Sequence, residues 1–124
     1  MARKDLFDAI KTKLEAIDGL LVKFAPLSID EPVKPVLAIV PTTDDPTRIG
    51  KSVTQNTLNI ALRLLTDTFD DAEDWAPVIR AAMKDDRKWG GLANDTIPQI
   101  ERWAPLDPAF PGQWFYEQPY TLTY

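Results

Sequence analysis

The sequence predicts an α+β fold in which two helices pack on one face of a mostly antiparallel or mixed sheet. Three observations lead there. Apolar residues keep a helical period in only two segments, strand-like runs follow one another between and after them, and no internal repeat or low-complexity tract marks a second domain. The order of elements is α-β-β-β-α-β-β, with too few helices for a doubly wound sheet. At 124 residues the chain is a single domain over 1–124, long enough to bury a real core.

Each element has its own signal. Leu6, Phe7, Ile10, Leu14, Ile17 and Leu21 recur at spacings of three and four, which predicts an amphipathic helix over roughly 3–18, ended near Gly19. "LLVKFA" (20–25) reads as a short strand running into Pro26, and "PLSIDEPVKP" as a connection, because its prolines deny it a ladder. "VLAIV" (36–40) is an apolar run of strand length, expected to be buried on both faces. The segment 41–52, "PTTDDPTRIGKS", reads as a polar hairpin loop. The clearest strand follows at 53–69, where Leu58, Ile60, Leu62 and Leu64 share one face and Thr57, Asn59, Ala61 and Arg63 the other. It is expected to pair with its predecessor.

A second helix is predicted from about 71 to 86, with Trp75, Val78, Ile79, Ala82 and Met83 on one stripe and Asp71 or Asp74 as its cap. Pro77 fits if that helix starts near Asp74 and otherwise implies a kink. Lys84, Arg87 and Lys88 suit the helix's negative end. In "KWGGLANDT" (88–96), Gly90 or Gly91 can supply the left-handed residue that closes the helix, with Leu92 packing back on its last turn. Asn94-Asp95-Thr96 then turns the chain. Two extended segments, about 96–103 and 113–123, finish it. In the last, Trp114, Tyr116, Tyr120, Leu122 and Tyr124 share one parity, interrupted only by Gln118.

Composition removes whole classes of function. Hydrophobic residues are 44% and charged residues 27%, ordinary for a globular domain, so disorder is a poor reading. A net charge of −5 repels a nucleic-acid backbone or an anionic membrane at long range, and no basic run reverses this locally. There is no cysteine and no histidine. Disulfides, Cys-based zinc sites, the usual general base and the His-dependent triads are therefore absent together. "MARKDLFDAI" reaches Asp8 too soon for a signal peptide, and no apolar run is long enough to span a bilayer, so a cytoplasmic or cell-assembled protein is expected.

The remaining motifs fail on context. Gly50-Lys51-Ser52 looks like the end of a P-loop, but Asp45 stands where the first glycine belongs and a strand follows instead of a helix. Asp67, Asp70, Asp71, Glu73 and Asp74 form the densest charge cluster, yet lack the glycine of a calcium loop; capping and a solvated surface explain them better. Asp95-Thr96 is followed by Ile97, where an aspartic protease loop continues with glycine. No catalytic, cofactor or metal residues are assigned. The aromatics Trp89, Trp103, Trp114, Phe115, Tyr116, Tyr120 and Tyr124 crowd the last third of the chain, more than one buried face requires, and point to a subunit interface there.

The layout then becomes recognisable. An amphipathic first helix, a proline-bearing connection, a polar hairpin loop, the long "TLNIALRLL" strand, a second helix, "WGGLANDT" and late strands together resemble the tail terminator (tail completion) proteins of long-tailed bacteriophages. The resemblance covers nearly the whole chain as a pattern, which neighbouring neck and minor tail proteins largely share. It implies a protein without enzymatic activity that forms a ring, usually of six copies, in the virion tail. Such a ring caps the tail tube, stops its growth and meets the head connector. Like charge on its wall lets DNA pass without specific binding.

A ring joined head to tail needs two different patches per subunit. The candidates are the 41–52 loop, with Asp44, Asp45, Arg48 and Lys51, and the aromatic segment with Trp114, Phe115, Tyr116 and Tyr120. Two rivals are a monomeric or dimeric adaptor module using the same aromatic surface, and a carboxylate hydrolase built on Asp95 and an acid from 67–74.

Overall fold

Leu6, Ile10 and Leu14 lie on one side of a single helix, α1 (Ala2–Glu15), and all three are fully buried. The computed structural model describes residues 2–24, 35–48, 54–85, 87–105 and 114–124. After α1 comes β1 (Leu21–Lys23), which runs parallel to β2 (Val36–Arg48). β2 pairs antiparallel with β3 (Thr54–Thr66), and β3 pairs antiparallel with the last strand, Trp114–Thr123. Between them in sequence lie α2 (Phe69–Asp85), a short 3-10 turn at Trp89–Gly91, β4 (Asp95–Pro98) and β5 (Arg102–Pro105). The last strand is therefore β6, and the sheet order is β1-β2-β3-β6-β4, with β5 also on β6.

One face of this mixed sheet makes the core. Leu37 and Ile39, then Leu58, Ile60, Leu62 and Leu64, then Tyr116, Tyr120 and Leu122 join Leu6, Ile10 and Leu14 of α1 and Ala72, Ala76, Ile79 and Met83 of α2 in one buried cluster. Both helices thus lie on the same face, as the alternation of β3 predicts. Each large side chain buried here stabilises the fold by about 1.5–3 kcal/mol. The opposite face carries polar rows set by strand register: Thr43, Asn59 and Thr121 in one, Arg63, Glu117 and Arg102 in another.

Several local expectations change. The segment 41–52 is not a loop throughout, because residues 41–48 continue β2 and stay paired with β3 to Arg48↔Thr54. β1 reaches only to Ala38, so beyond it, among the described residues, β2 pairs with β3 alone. Pro41 and Pro46 can then sit on an open edge, where a missing N–H breaks no ladder. The register shifts between Pro41 and Thr43, a bulge at which Thr42 Oγ1 donates to the Asn59 carbonyl at 3.0 Å.

Helix α2 starts earlier than expected, and its cap is Thr68, whose Oγ1 accepts from the Asp71 N–H at 3.1 Å, instead of Asp71 or Asp74. Pro77 therefore lies well inside a single helix, on its exposed side. The segment expected as one strand at 96–103 is two. Pro98 pairs with Tyr120 and Arg102 with Glu117, so one more residue is spent on the outer chain than on β6. Gln118, the break in the aromatic alternation, fills this gap: its buried amide donates to the Gln99 carbonyl at 2.7 Å and the Pro119 carbonyl at 2.9 Å.

Candidate functional site

The "KWGGLANDT" segment is held by a dense local network. Three consecutive residues have left-handed backbone: Trp89 (φ 51°), Gly90 (68°) and Gly91 (95°). α2 ends at Asp85, so the glycines build a separate turn and do not close the helix as expected. A positive φ is costly for a bulky residue, and the indole is what holds it. Trp89 is buried, and its Nε1 donates to Thr96 Oγ1 at 2.9 Å, while that hydroxyl donates to the Arg87 carbonyl at 2.7 Å. The Lys88 carbonyl accepts from the N–H groups of Gly91 and Ala93, both at 3.0 Å. Asp95 is absorbed too. Its carboxylate meets Arg87 at 2.9 Å and accepts from the Thr96 N–H at 2.8 Å, so it serves the turn.

Arg87, just before this turn, and Thr96, just after it, line a cleft between α2 and β4, about 470 Å3 in volume. Pro77, Met83, Pro98 and Tyr120 give it an apolar floor, and Arg80, Lys84 and Arg87 stand on its rim. Arg80 Nη1 donates to Glu101 at 3.1 Å, and the other oxygen of Glu101 accepts from the Tyr116 hydroxyl. Burial, then the Glu101 carboxylate, pushes the Tyr116 phenol well above the ordinary tyrosine range. Burial pushes Tyr120 up to about 12. The sequence reading missed this cleft, although Arg80, Lys84 and Arg87, spaced by four and three, were its visible trace.

The residues proposed as contact surfaces are not brought together. Tyr116 is fully buried and Tyr120 is 4% exposed, so both pack in the core of the chain, and Tyr120 also lines the cleft. Strand alternation is the reason, because both point with Leu122 toward the helices. Asp44 is likewise turned inward: its Oδ2 accepts from Arg3 Nη1 at 3.0 Å and from the Tyr124 hydroxyl at 2.5 Å. It locks the β2 arm to α1 and to the end of β6. Burial, then Asp44, raises Tyr124 to about 12.

Asp45 is exposed on the arm opposite Thr57. Arg48 ends β2, and Trp114 and Phe115 stand in β6 opposite Thr66 and Leu65. Lys51, with the rest of the "GKS" triplet, lies outside the described residues.

Two further charged features are defined. Glu117 is nearly buried and accepts from Arg63 Nε and Arg102 Nε, both at 2.7 Å. The acids Asp67, Asp70, Asp71, Glu73 and Asp74 are all exposed around the start of α2. Among the described residues no group of three or more acids is placed to hold a metal, and no helix is long and apolar enough to cross a membrane.

No protein-family model matches the sequence, and no match was found among curated proteins. In fold the chain is similar to a chain in the virion of a native gene transfer agent (GTA) particle, with a TM-score of 0.68. The match covers 95% of this chain and 92% of that one at 15% sequence identity, so the likeness is one of fold.

Proposed function

We propose that the chain is a structural component of a phage-like virion, assembling as a ring of six copies that caps the tail tube. In this role it ends tail growth and joins the tail to the head connector. The observation that carries the virion assignment is the end-to-end fold likeness to a chain of a GTA virion, 95% of one chain on 92% of the other. The tail-capping assignment draws on the tail-terminator layout, in which the long β3 leads through α2 into "WGGLANDT" and the late strands. The proposal assigns the chain no enzymatic activity and no cofactor.

The net charge of −5 has a physical use here. A ring wall of like charge gives DNA no phosphate contacts to release as it passes. The tail tube protein, the head connector protein and further copies of the chain are the partners this role requires. Deleting the coding sequence from a particle genome tests it by electron microscopy. Tails of uncontrolled length without heads are the expected result. Tails of normal length that fail to join heads would move the chain to a neighbouring neck position, and normal particles would refute both.

A further inference from the structure

Helix α2 begins among acids and ends with Arg80, Lys84 and Asp85, the last of them held by Lys13. Asp67, Asp70, Asp71, Glu73 and Asp74 surround its start, and Phe69 stands among them, 42% exposed. Its other end bears Arg80 and Lys84, which with Arg87 rim the cleft against β4. Arg80 and Arg87 already hold Glu101 and Asp95. Lys84 has no ion pair among the described residues, so its charge is the one left unmatched there.

An apolar floor under a cationic rim fits an apolar side chain set among acids, and the start of α2 is such a segment. The two cannot meet within one molecule. Phe69 and Ala81, which lines the cleft, are twelve residues apart on one helix, and that separation is about 18 Å at the α-helical rise. The match can be satisfied only between copies. Joining one patch to a different patch on the next copy is the contact that closes a ring.

We propose, building on the ring described above, that the α2–β4 cleft of each subunit receives the Phe69-bearing acidic start of α2 from the next copy. Phe69 seats on the floor made by Met83, Pro98 and Tyr120, while Asp70 and Asp71 face Lys84 across the rim.

The chain has no cysteine, so an introduced pair reports this contact alone. A chain carrying both Glu73→Cys, one turn from Phe69, and Ala81→Cys cannot close the bond internally, because eight helical residues span about 12 Å and a disulfide needs Cα atoms within about 7 Å. On oxidation it is expected to run as a ladder of covalent oligomers ending in one closed species. An equal mixture of the two single variants should give one covalent dimer. Adding Lys84→Glu should cut the yield about tenfold or more, since like charges then face each other. Asp70→Lys with Asp71→Lys in that same chain should restore it.

Sedimentation of the cysteine-free chain, run in parallel, separates the two levels of the proposal. Oligomers that fail to cross-link overturn this contact and leave the ring standing. A chain that neither sediments as an oligomer nor cross-links overturns the contact and the ring together.

Discussion

Replacing Thr96 by Val keeps the shape of a buried side chain and removes one oxygen from the network that shapes the cleft. Thr96 is 3% exposed and Trp89 5%, so water does not reach the indole N–H that now donates to Oγ1 at 2.9 Å. An orphaned buried donor costs about 1–3 kcal/mol. The Arg87 carbonyl also loses its donor, at 2.7 Å, but belongs to an exposed residue and can turn to water, so it adds little. The hydroxyl bond lost and the methyl gained offset each other to within about 1 kcal/mol. The indole term decides the outcome, at about 2 kcal/mol of lost stability.

For a chain of 124 residues, specific unfolding entropy makes this a fall in Tm of about 8 °C. Urea unfolding followed by tryptophan fluorescence, with a thermal scan alongside, measures both quantities. A loss below about 0.5 kcal/mol would refute the reasoning, because the indole would then have had no need of Thr96. Trp89→Phe provides the internal check. Made in the Thr96→Val background, it should cost less than it does in the parent chain, since the orphan is already gone.

Other perturbations probe the backbone, the sheet and the phenols. Gly91→Ala should cost about 1–2 kcal/mol by denaturation, from left-handed geometry alone, because a Cβ there meets nothing within 4 Å. Glu117→Gln leaves two guanidiniums side by side on the open face of the sheet. Arg63 and Arg102 are 31% and 66% exposed, so about 1–2 kcal/mol is expected, less than a fully buried pair would lose. All three tyrosines hold the neutral phenol more tightly than an unfolded chain does. A folded pKa raised above the unfolded value means this stability is whole below pH 10 and is lost as pH rises toward about 12. Tyrosinate absorbance should therefore show no step near the ordinary tyrosine value of 10.0, and should rise only together with unfolding.

What could be read in advance follows from how local each signal is. The even-numbered apolar positions of β3 and Leu6, Ile10 and Leu14 of α1 lie in the core as expected, while Leu21, read as the end of the same stripe, stands in β1 and is 45% exposed. The β2 arm was hidden because its prolines argue against a strand; beyond Ala38 its pairing among the described residues is with β3 alone, which makes them tolerable. The burial of Tyr116 and Tyr120 was not legible because aromatic content alone does not say which parity faces the helices. Asp44 looked like surface for a similar reason: its partners, Arg3 and Tyr124, lie at opposite ends of the chain.

The cleft is the least local feature of all. It lies between α2 and β4, which the left-handed turn at Trp89, Gly90 and Gly91 connects, and in sequence those glycines mark only a place to stop. Their work is to fold Trp89 under Thr96, where one hydroxyl joins the turn to the strand.

The proposed role is tested most directly by locating the chain in intact particles. A gold label on an exposed site of the chain, viewed by electron microscopy, should mark a single position between the head and the tail tube. Label spread along the tail, spread over the capsid or absent from the particle would contradict a ring at the end of the tube.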